Sequence, residues 1–396
     1  MPIQRQIAKL FAMKSYDAAV IGAGIIGTSC AFALADSGLR VALFDSQTPG
    51  REATWAAGGM LSPAPYLPGD ENLAPLANES LSLYPDFVRS IESASGRSTN
   101  YNCCGAIEIF FGAEGPGKRD HHADKCRRLG IPVEAISATE ARHREPAIAS
   151  NARTAAFFPT EGTVEPRALI DAALEAARMR GVEVHPNAAV DSLLIRGNRC
   201  REIISAGERC AAGHVVVAAG CFSQQLFEND SPAMQRLAQF VPTRPVRGQM
   251  IAMMPRDTTL NHAVRSSRGY LVPRSSGTIV AGSTLEEAGF DRSTTTDGLQ
   301  KIRKAAIELV PGLADAEIVE SWSGLRPGTP DGLPILGPVD IDGLIFATGH
   351  FRNGILLAPA TAHLVKTWIT GAPQSFPAHR YSPLRFARAA QAQSAC

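Results

Sequence analysis

Apolar and polar positions fall in blocks along this chain, and the first block is the clearest. Asp17-Ala18-Ala19-Val20-Ile21 is a short apolar run that ends in a glycine turn, a longer apolar stretch then runs to Ser37 and stops at Gly38, and a second short run, Val41-Ala42-Leu43-Phe44, follows. Short apolar runs bounded by turn residues read as buried strands, and a longer one closed by glycine reads as a helix, so these residues predict a strand-helix-strand unit.

A helical stretch is expected over residues 71–95 and a strand at Ala106-Ile107-Glu108-Ile109-Phe110-Phe111, where the organisation changes. A helix from Pro166 to Arg180, closed by Gly181, leads to Val182-Glu183-Val184 and later to the apolar run 214–219, which reads as a return to the first unit. Between Val241 and Val319 strand signals dominate, among them residues 248–253, 269–273 and 278–282, separated by Ser, Gly and Arg-rich turns. That region reads as a separate sheet. Residues 344–357 again give strand, turn and helix, and the tail beyond about Pro373 is expected to pack loosely.

Length and charge narrow the picture. A chain of 396 residues exceeds what one core usually organises, and 45% apolar content readily supports two. The 39 basic and 38 acidic residues leave a formal charge of +1, which gives no footprint for nucleic acid or an anionic membrane. Eight cysteines lack metal-type spacing, Cys103 and Cys104 being adjacent, so no metal site is expected and a reducing cytoplasm is the simplest home. Residues 1–15 break their apolar run too early for a secretion signal, Met13 is an alternative start, and no stretch approaches the length of a membrane span.

The candidate chemistry begins at Gly22-Ala23-Gly24-Ile25-Ile26-Gly27, which fits G-x-G-x-x-G between a strand and a helix. There Gly22 makes the tight turn, Gly24 admits a pyrophosphate against bare backbone, and Gly27 lets helix and strand approach, while the N-terminus of the helix faces the negative charge. Asp45, followed by Ser46, ends the second strand where an acid would read ribose hydroxyls, which disfavours a 2′-phosphate. A glycine-rich turn without a ligand is the bland alternative. The motif alone does not separate FAD from NAD.

Three further segments make that separation by resemblance. Residues 215–220 resemble the internal strand-and-glycine motif of FAD-binding oxidoreductases, residues 343–357 their C-terminal flavin motif, and residues 51–60 the small-residue loop that passes the flavin ring. More specifically, residues 57–61, 245–249, 324–332 and 349–359 are similar to the glycine oxidases of the D-amino-acid oxidase family, over a span from about Tyr16 to Gly371. The amine-oxidising subunit of hydrogen cyanide synthase looks much alike.

The resemblance implies an α/β fold, α+β overall: a doubly wound FAD-binding domain from residues 16–98, 152–232 and 325–373, with an inserted antiparallel-sheet substrate domain from residues 99–151 and 233–324 and terminal extensions 1–15 and 374–396. It assigns FAD contacts to Thr54, Ala56, Ala57, Gly58, Met60, Ala219, Gly220, Gly349, His350, Arg352, Asn353, Gly354, Ile355 and Leu356, besides Gly22, Gly24, Ile25, Ile26, Gly27, Asp45 and Ser46. Arg326 matches the family's carboxylate-binding arginine, a role suited to a planar two-pronged donor. Tyr270 matches a second carboxylate contact or pocket wall, although an aromatic on a strand is commonly plain packing. Met60 lies beside it, and Arg352 lies near the substrate or flavin edge or else in a loop salt bridge.

Arg268 stands two residues before Tyr270, on the same face if the strand extends that far, and either borders the pocket, favouring acidic D-amino acids, or sits in an exposed turn. The catalytic contribution is expected from the backbone N–H groups of Gly354 and Ile355 at a helix start, with Arg352 nearby, and no general base is needed if the amine arrives neutral. His350 is read as a hydrogen-bonded structural residue. Residues 321–330 hold no cysteine where sarcosine oxidases tether their flavin, so FAD is expected to be non-covalent.

The implied reaction takes glycine, sarcosine or a small D-amino acid to its imine by hydride transfer to flavin, with O2 reoxidation and H2O2 release, and supplies imine for the thiazole of thiamin, with a thiazole synthase downstream and a homo-oligomeric enzyme. A dehydrogenase that passes electrons to another acceptor, and a non-catalytic flavoprotein, stay as alternatives.

Overall fold

The computed structural model describes residues 14–228, 232–374 and 376–387; the expectations for residues 1–13 and 388–396 lie outside them. The first strand-helix-strand unit forms as Lys14–Ile21, Ile25–Ala35 and Val41–Phe44. Its helix is apolar all round, and ten of its eleven residues are buried, as befits a helix covered on every side.

The Lys14–Ile21 strand sits at the centre of an eight-stranded sheet. Strands Ile341–Thr348, Glu208–Val217, Lys14–Ile21, Val41–Phe44 and Glu183–His185 run parallel in that order. Strand Ile335–Val339 closes one edge antiparallel to Ile341–Thr348. A hairpin of Val190–Arg196 and Arg199–Ser205 branches from Glu208–Val217. Helices Ile25–Ala35, Ala74–Ser95, Pro166–Met179 and Gly354–Thr370 share one core on one face of the sheet, and Phe227, Met234 and Leu237 help to cover the other. A parallel sheet needs both faces covered, and here both are.

A second eight-stranded sheet runs Glu317–Gly328, Arg244–Met254, Ile279–Gly282, Gly269–Pro273, Ala263–Ser266, Ala106–Phe111, Ala152–Phe158 and Glu134–Ser137. It departs from the expected antiparallel sheet at one place, because Ala263–Ser266 pairs parallel with Ala106–Phe111. Those two strands come from separate stretches of chain, so no hairpin constrains their direction. Helix Thr296–Leu309, unassigned in the strand-rich reading, buries Ile302, Ala306 and Leu309 against this sheet.

Three further differences concern boundaries. Ala152–Phe158 pairs with Ala106–Phe111, which puts it in the second sheet, whereas the expected first domain includes residues 152–232. Lys14 and Ser15 belong to the first strand and not to an extension, with Lys14 and Tyr16 both bonded to Glu183. The tail is docked as well: Ala378 and Tyr381 are buried in the first core, and Arg385 pairs with both oxygens of Asp331 at 2.7 and 3.1 Å.

Candidate active site

A cavity of about 780 Å³ lies between the C-terminal ends of the parallel strands and the second sheet. The glycine turn forms its floor. Gly22 has φ +99°, and a Cβ there would stand 2.5 Å from the Ala218 carbonyl oxygen, so only glycine fits. A Cβ on Gly27 would meet the Gly22 carbonyl oxygen at 1.9 Å, so Gly27 serves the close packing of helix on turn and does not itself line the cavity.

Gly24, Ile25 and Ile26 do line it, at the N-terminus of the Ile25–Ala35 helix. The Thr54 hydroxyl accepts the Ile25 N–H at 3.0 Å, satisfying one of the donors a helix start leaves free. Asp45 and Ser46 also border the cavity. Asp45 accepts the Ala23 N–H at 2.8 Å and the Gln47 N–H at 2.9 Å, one on each carboxylate oxygen, which fixes the acid beside the turn and leaves further lone pairs for ribose.

Ala56, Ala57, Gly58, Met60, Ala219 and Gly220 continue the wall, and His350, Arg352, Asn353, Gly354 and Ile355 close the far end. Gly349 and Leu356 do not line it. Gly349 packs its bare Cα against Thr329 and Ile335, and Leu356 turns into the core at 2% exposure. His350 is buried and bonded through Nε2 to Thr361 Oγ1 at 2.9 Å, and burial pushes its pKa down to about 3, so it stays neutral.

The Gly354–Thr370 helix presents its N-terminus to the cavity without a side-chain cap. It is held from behind by the long Ala74–Ser95 helix. Pro359 has no N–H to give the Ile355 carbonyl, and the Tyr84 hydroxyl donates to that oxygen instead, at 3.3 Å. Ser80 Oγ donates to the Leu356 carbonyl at 2.6 Å and accepts the Ala360 N–H at 3.2 Å.

The second sheet supplies the opposite wall. Arg326 comes from the Glu317–Gly328 strand, with Nη1 donating to the Thr284 carbonyl at 3.1 Å and Nη2 to Ser283 Oγ at 2.7 Å. Gly248, two positions along the facing strand from Val246, the register partner of Arg326, makes the room: a Cβ there would stand 2.0 Å from Arg326 Nη1. Among the described residues Arg326 forms no ion pair, and burial pulls its guanidinium below the ordinary value. Tyr270 lines the cavity next to it, its ring seated between Gly58 and Gly282, where a Cβ on either would stand 2.8 Å from the hydroxyl. Arg352 both lines the cavity and pairs with Asp70 at 2.6 Å, so the salt-bridge and cavity readings hold together.

Arg268 differs from the expectation of a shared strand face. The strand begins only at Gly269, Ser266 pairs with Gly269, and Arg268 sits in the turn between them. Its residue borders the cavity mouth, but its guanidinium pairs with Glu308 on the Thr296–Leu309 helix.

The arginine on the face of Tyr270 is its register partner, Arg265, which the sequence reading did not single out. Arg265 is buried, donates from Nε to Glu108 Oε2 at 2.9 Å, and pairs with Glu161. Burial raises the Glu108 pKa, but Arg265 and His122 outweigh it and bring the group down to about 2. Burial likewise lowers His122, and Cys126 and Glu108 outweigh it, up to about 9. Arg274, also missed, donates to the Gly58 carbonyl at 2.8 Å and so pins the loop against Tyr270. An arginine inside the apolar strand Ala263–Ser266 was the available signal for Arg265.

A glycine turn at the ends of parallel strands, an acid at the second strand, a bare helix start and an enclosed arginine define a dinucleotide-dependent oxidoreductase, and these residues fit the cofactor's phosphates and ribose. The chain belongs to the family of FAD dependent oxidoreductases (DAO), which it matches over residues 17–368. It is 32% identical to the glycine oxidase of Pseudomonas aeruginosa over 366 residues, covering 92% of this chain and 97% of that one. It is 32% identical to the bifunctional protein ThiO/ThiG of Synechocystis sp., covering 93% of this chain and 54% of that protein. The crystal structure of glycine oxidase from Geobacillus kaustophilus superposes with a TM-score of 0.87 at 31% identity, over 94% of this chain and 99% of that one. Within its family the chain is thus of the glycine oxidase type, an FAD-dependent amino-acid oxidase.

Proposed function

We propose that this enzyme oxidises glycine or a similarly small amino acid at its amine-bearing carbon, with FAD held non-covalently. The observation that carries this reading is Arg326, a guanidinium fixed by Ser283 and Thr284, given space by Gly248, and facing the cavity without an acidic partner among the described residues. Such a group takes a carboxylate through two parallel hydrogen bonds, fixing orientation as well as affinity. Tyr270 flanks that carboxylate, Arg352 stands near it, and Met60 limits the space beside it.

When bound, FAD would supply the hydride acceptor and the route by which electrons reach O2 to give H2O2. The chain orients the amino acid, excludes bulk water and, through the bare N–H groups at Gly354 and Ile355, places positive potential at the end of the cavity where negative charge develops. His350, buried and neutral, is assigned no proton transfer. The likeness to the ThiO/ThiG protein supports delivery of the imine product to thiazole formation. Among the described residues no helix is long and apolar enough to cross a membrane.

Anaerobic mixing of the FAD-loaded protein with glycine, sarcosine, D-alanine and D-proline tests this reading. At least one amine should bleach the flavin absorbance, and readmitted air should yield peroxide in proportion. Bleaching without peroxide supports the dehydrogenase alternative. No bleaching by any of them defeats the proposal.

A further inference from the structure

The cavity wall carries a second polar feature that binding of glycine leaves unused. Glu108 and Arg265 are register partners on the parallel strands Ala106–Phe111 and Ala263–Ser266, and both line the cavity together with Ser62, Tyr66 and Ser267. Four of the five N–H groups of Arg265 are taken: Nε is bonded to Glu108, Nη1 to Ser62 Oγ at 3.1 Å and to Glu161, and Nη2 to Glu161 at 3.3 Å, with the guanidinium 4.3 Å over the Phe158 ring. Glu108 is not saturated. Its Oε2 is shared by Arg265 and by His122 at 3.4 Å, while Oε1 has no hydrogen bond among the described residues.

Three neighbouring donors are committed elsewhere. The Tyr66 hydroxyl donates to the Ser266 carbonyl at 2.9 Å, the Ser62 hydroxyl to Glu161 Oε1 at 2.7 Å, and the Arg268 guanidinium to Glu308. Glu108 keeps a little exposure on the cavity side, so its Oε1 lies open to a donor that a ligand or water brings in. The charge itself is secure, since Arg265 and His122 both favour the ionised form.

We propose that Glu108 is a specificity-determining residue, its Oε1 accepting a hydrogen bond from a hydroxyl, amide or ammonium group that the substrate carries beyond its amine-bearing carbon. This rests on the amino-acid oxidase reading, with Arg326 holding the carboxylate. The preferred substrate is then a small polar amino acid rather than glycine itself.

Calorimetric titration of the FAD-loaded protein with carboxylic acids that lack the α-amine tests the assignment without turnover. The series pairs 3-hydroxypropanoate and 3-aminopropanoate with butanoate, 4-hydroxybutanoate and 4-aminobutanoate with pentanoate, and the next longer set with hexanoate. At one chain length a donor-bearing acid should bind at least tenfold more tightly than its methyl isostere, as a hydrogen bond to a charged group allows. The hydroxyl and ammonium arms tell a neutral donor from a cation.

Glu108→Gln, with its melting temperature checked, should cut that preference below threefold. Should the variant not fold, the wild-type series still decides. Equal binding of each donor acid and its isostere, which is also what an ordered water on Oε1 would give, overturns the assignment and leaves the enzyme reading standing; so does an unchanged preference in Glu108→Gln. Failure of every acid to bind removes the Arg326 clamp and both inferences with it.

Discussion

Arg326 shows how one side chain acquires a role from its surroundings. Its guanidinium is oriented by Ser283 Oγ and the Thr284 carbonyl, neither of which neutralises it, so the compensating charge is left to a ligand. Arg326→Lys keeps the charge and loses the planar fork. We expect the KM for the best amine to rise by about one to two orders of magnitude with a smaller change in kcat, read from steady-state kinetics.

His122 gives a pH prediction. Its folded pKa of about 9 lies above its ordinary 6.5, so its contribution to stability is full below pH 6.5 and is lost as pH rises through 9. The wild type should lose stability over that window, by up to about 3 kcal/mol from this group, and His122→Asn should flatten the slope in denaturant titrations at stepped pH.

The sequence carried Arg326, Tyr270 and the glycine turn, because each stands inside a local motif. Arg265 and Glu108 escaped, since their meeting depends on a parallel pairing of strands about 157 positions apart, which no local pattern encodes.

At the level of elements, the strand pair Arg244–Met254 and Glu317–Gly328 works as a frame whose one missing side chain matters. Gly248→Ala would drive a methyl into the Arg326 guanidinium, which has no slack between Ser283 and Thr284. The expected outcome is a folded, FAD-binding protein with weakened carboxylate affinity, measured by ligand perturbation of the flavin spectrum.

The helix pair behaves differently. Ser80→Ala removes the hydroxyl lodged between the Leu356 carbonyl and the Ala360 N–H, at a cost of about 1–3 kcal/mol in chemical denaturation. The Pro166–Met179 helix was legible from its amphipathic spacing and its closing glycine. Helix Gly115–Arg128 was not, because it buries only Gly115, Ala123 and Cys126 and leaves almost no apolar stripe to read. Thr296–Leu309 had both a stripe and a Thr295 cap, with Thr295 Oγ1 accepting the Gly298 N–H at 3.1 Å, and was hidden by the strand signals around it.

Across the whole molecule, the two sheets are tied over the cavity. The Trp322 indole donates to the Ala56 carbonyl at 3.0 Å, Arg167 stacks on Trp55 at 3.6 Å while pairing with Glu320, and Arg292 pairs with Glu52 at 2.8 Å. None of these ties involves a cysteine, and residues 321–330 contain none. Acid precipitation should therefore release all the FAD into the supernatant, where its absorbance measures it; flavin left in the pellet would contradict non-covalent binding.

The interleaving of the chain sets an order of events during synthesis. The nucleotide-binding sheet joins Lys14–Ile21 to Glu208–Val217, and the latter to Ile341–Thr348. A nascent chain therefore carries an apolar strand with an unfilled edge until residue 348 has left the ribosome, and open edges of this kind invite aggregation. Cofactor capture is consequently a late act, completed only after almost the entire polypeptide has been made, and chains cut short before that last strand should be found with chaperones or in inclusion bodies.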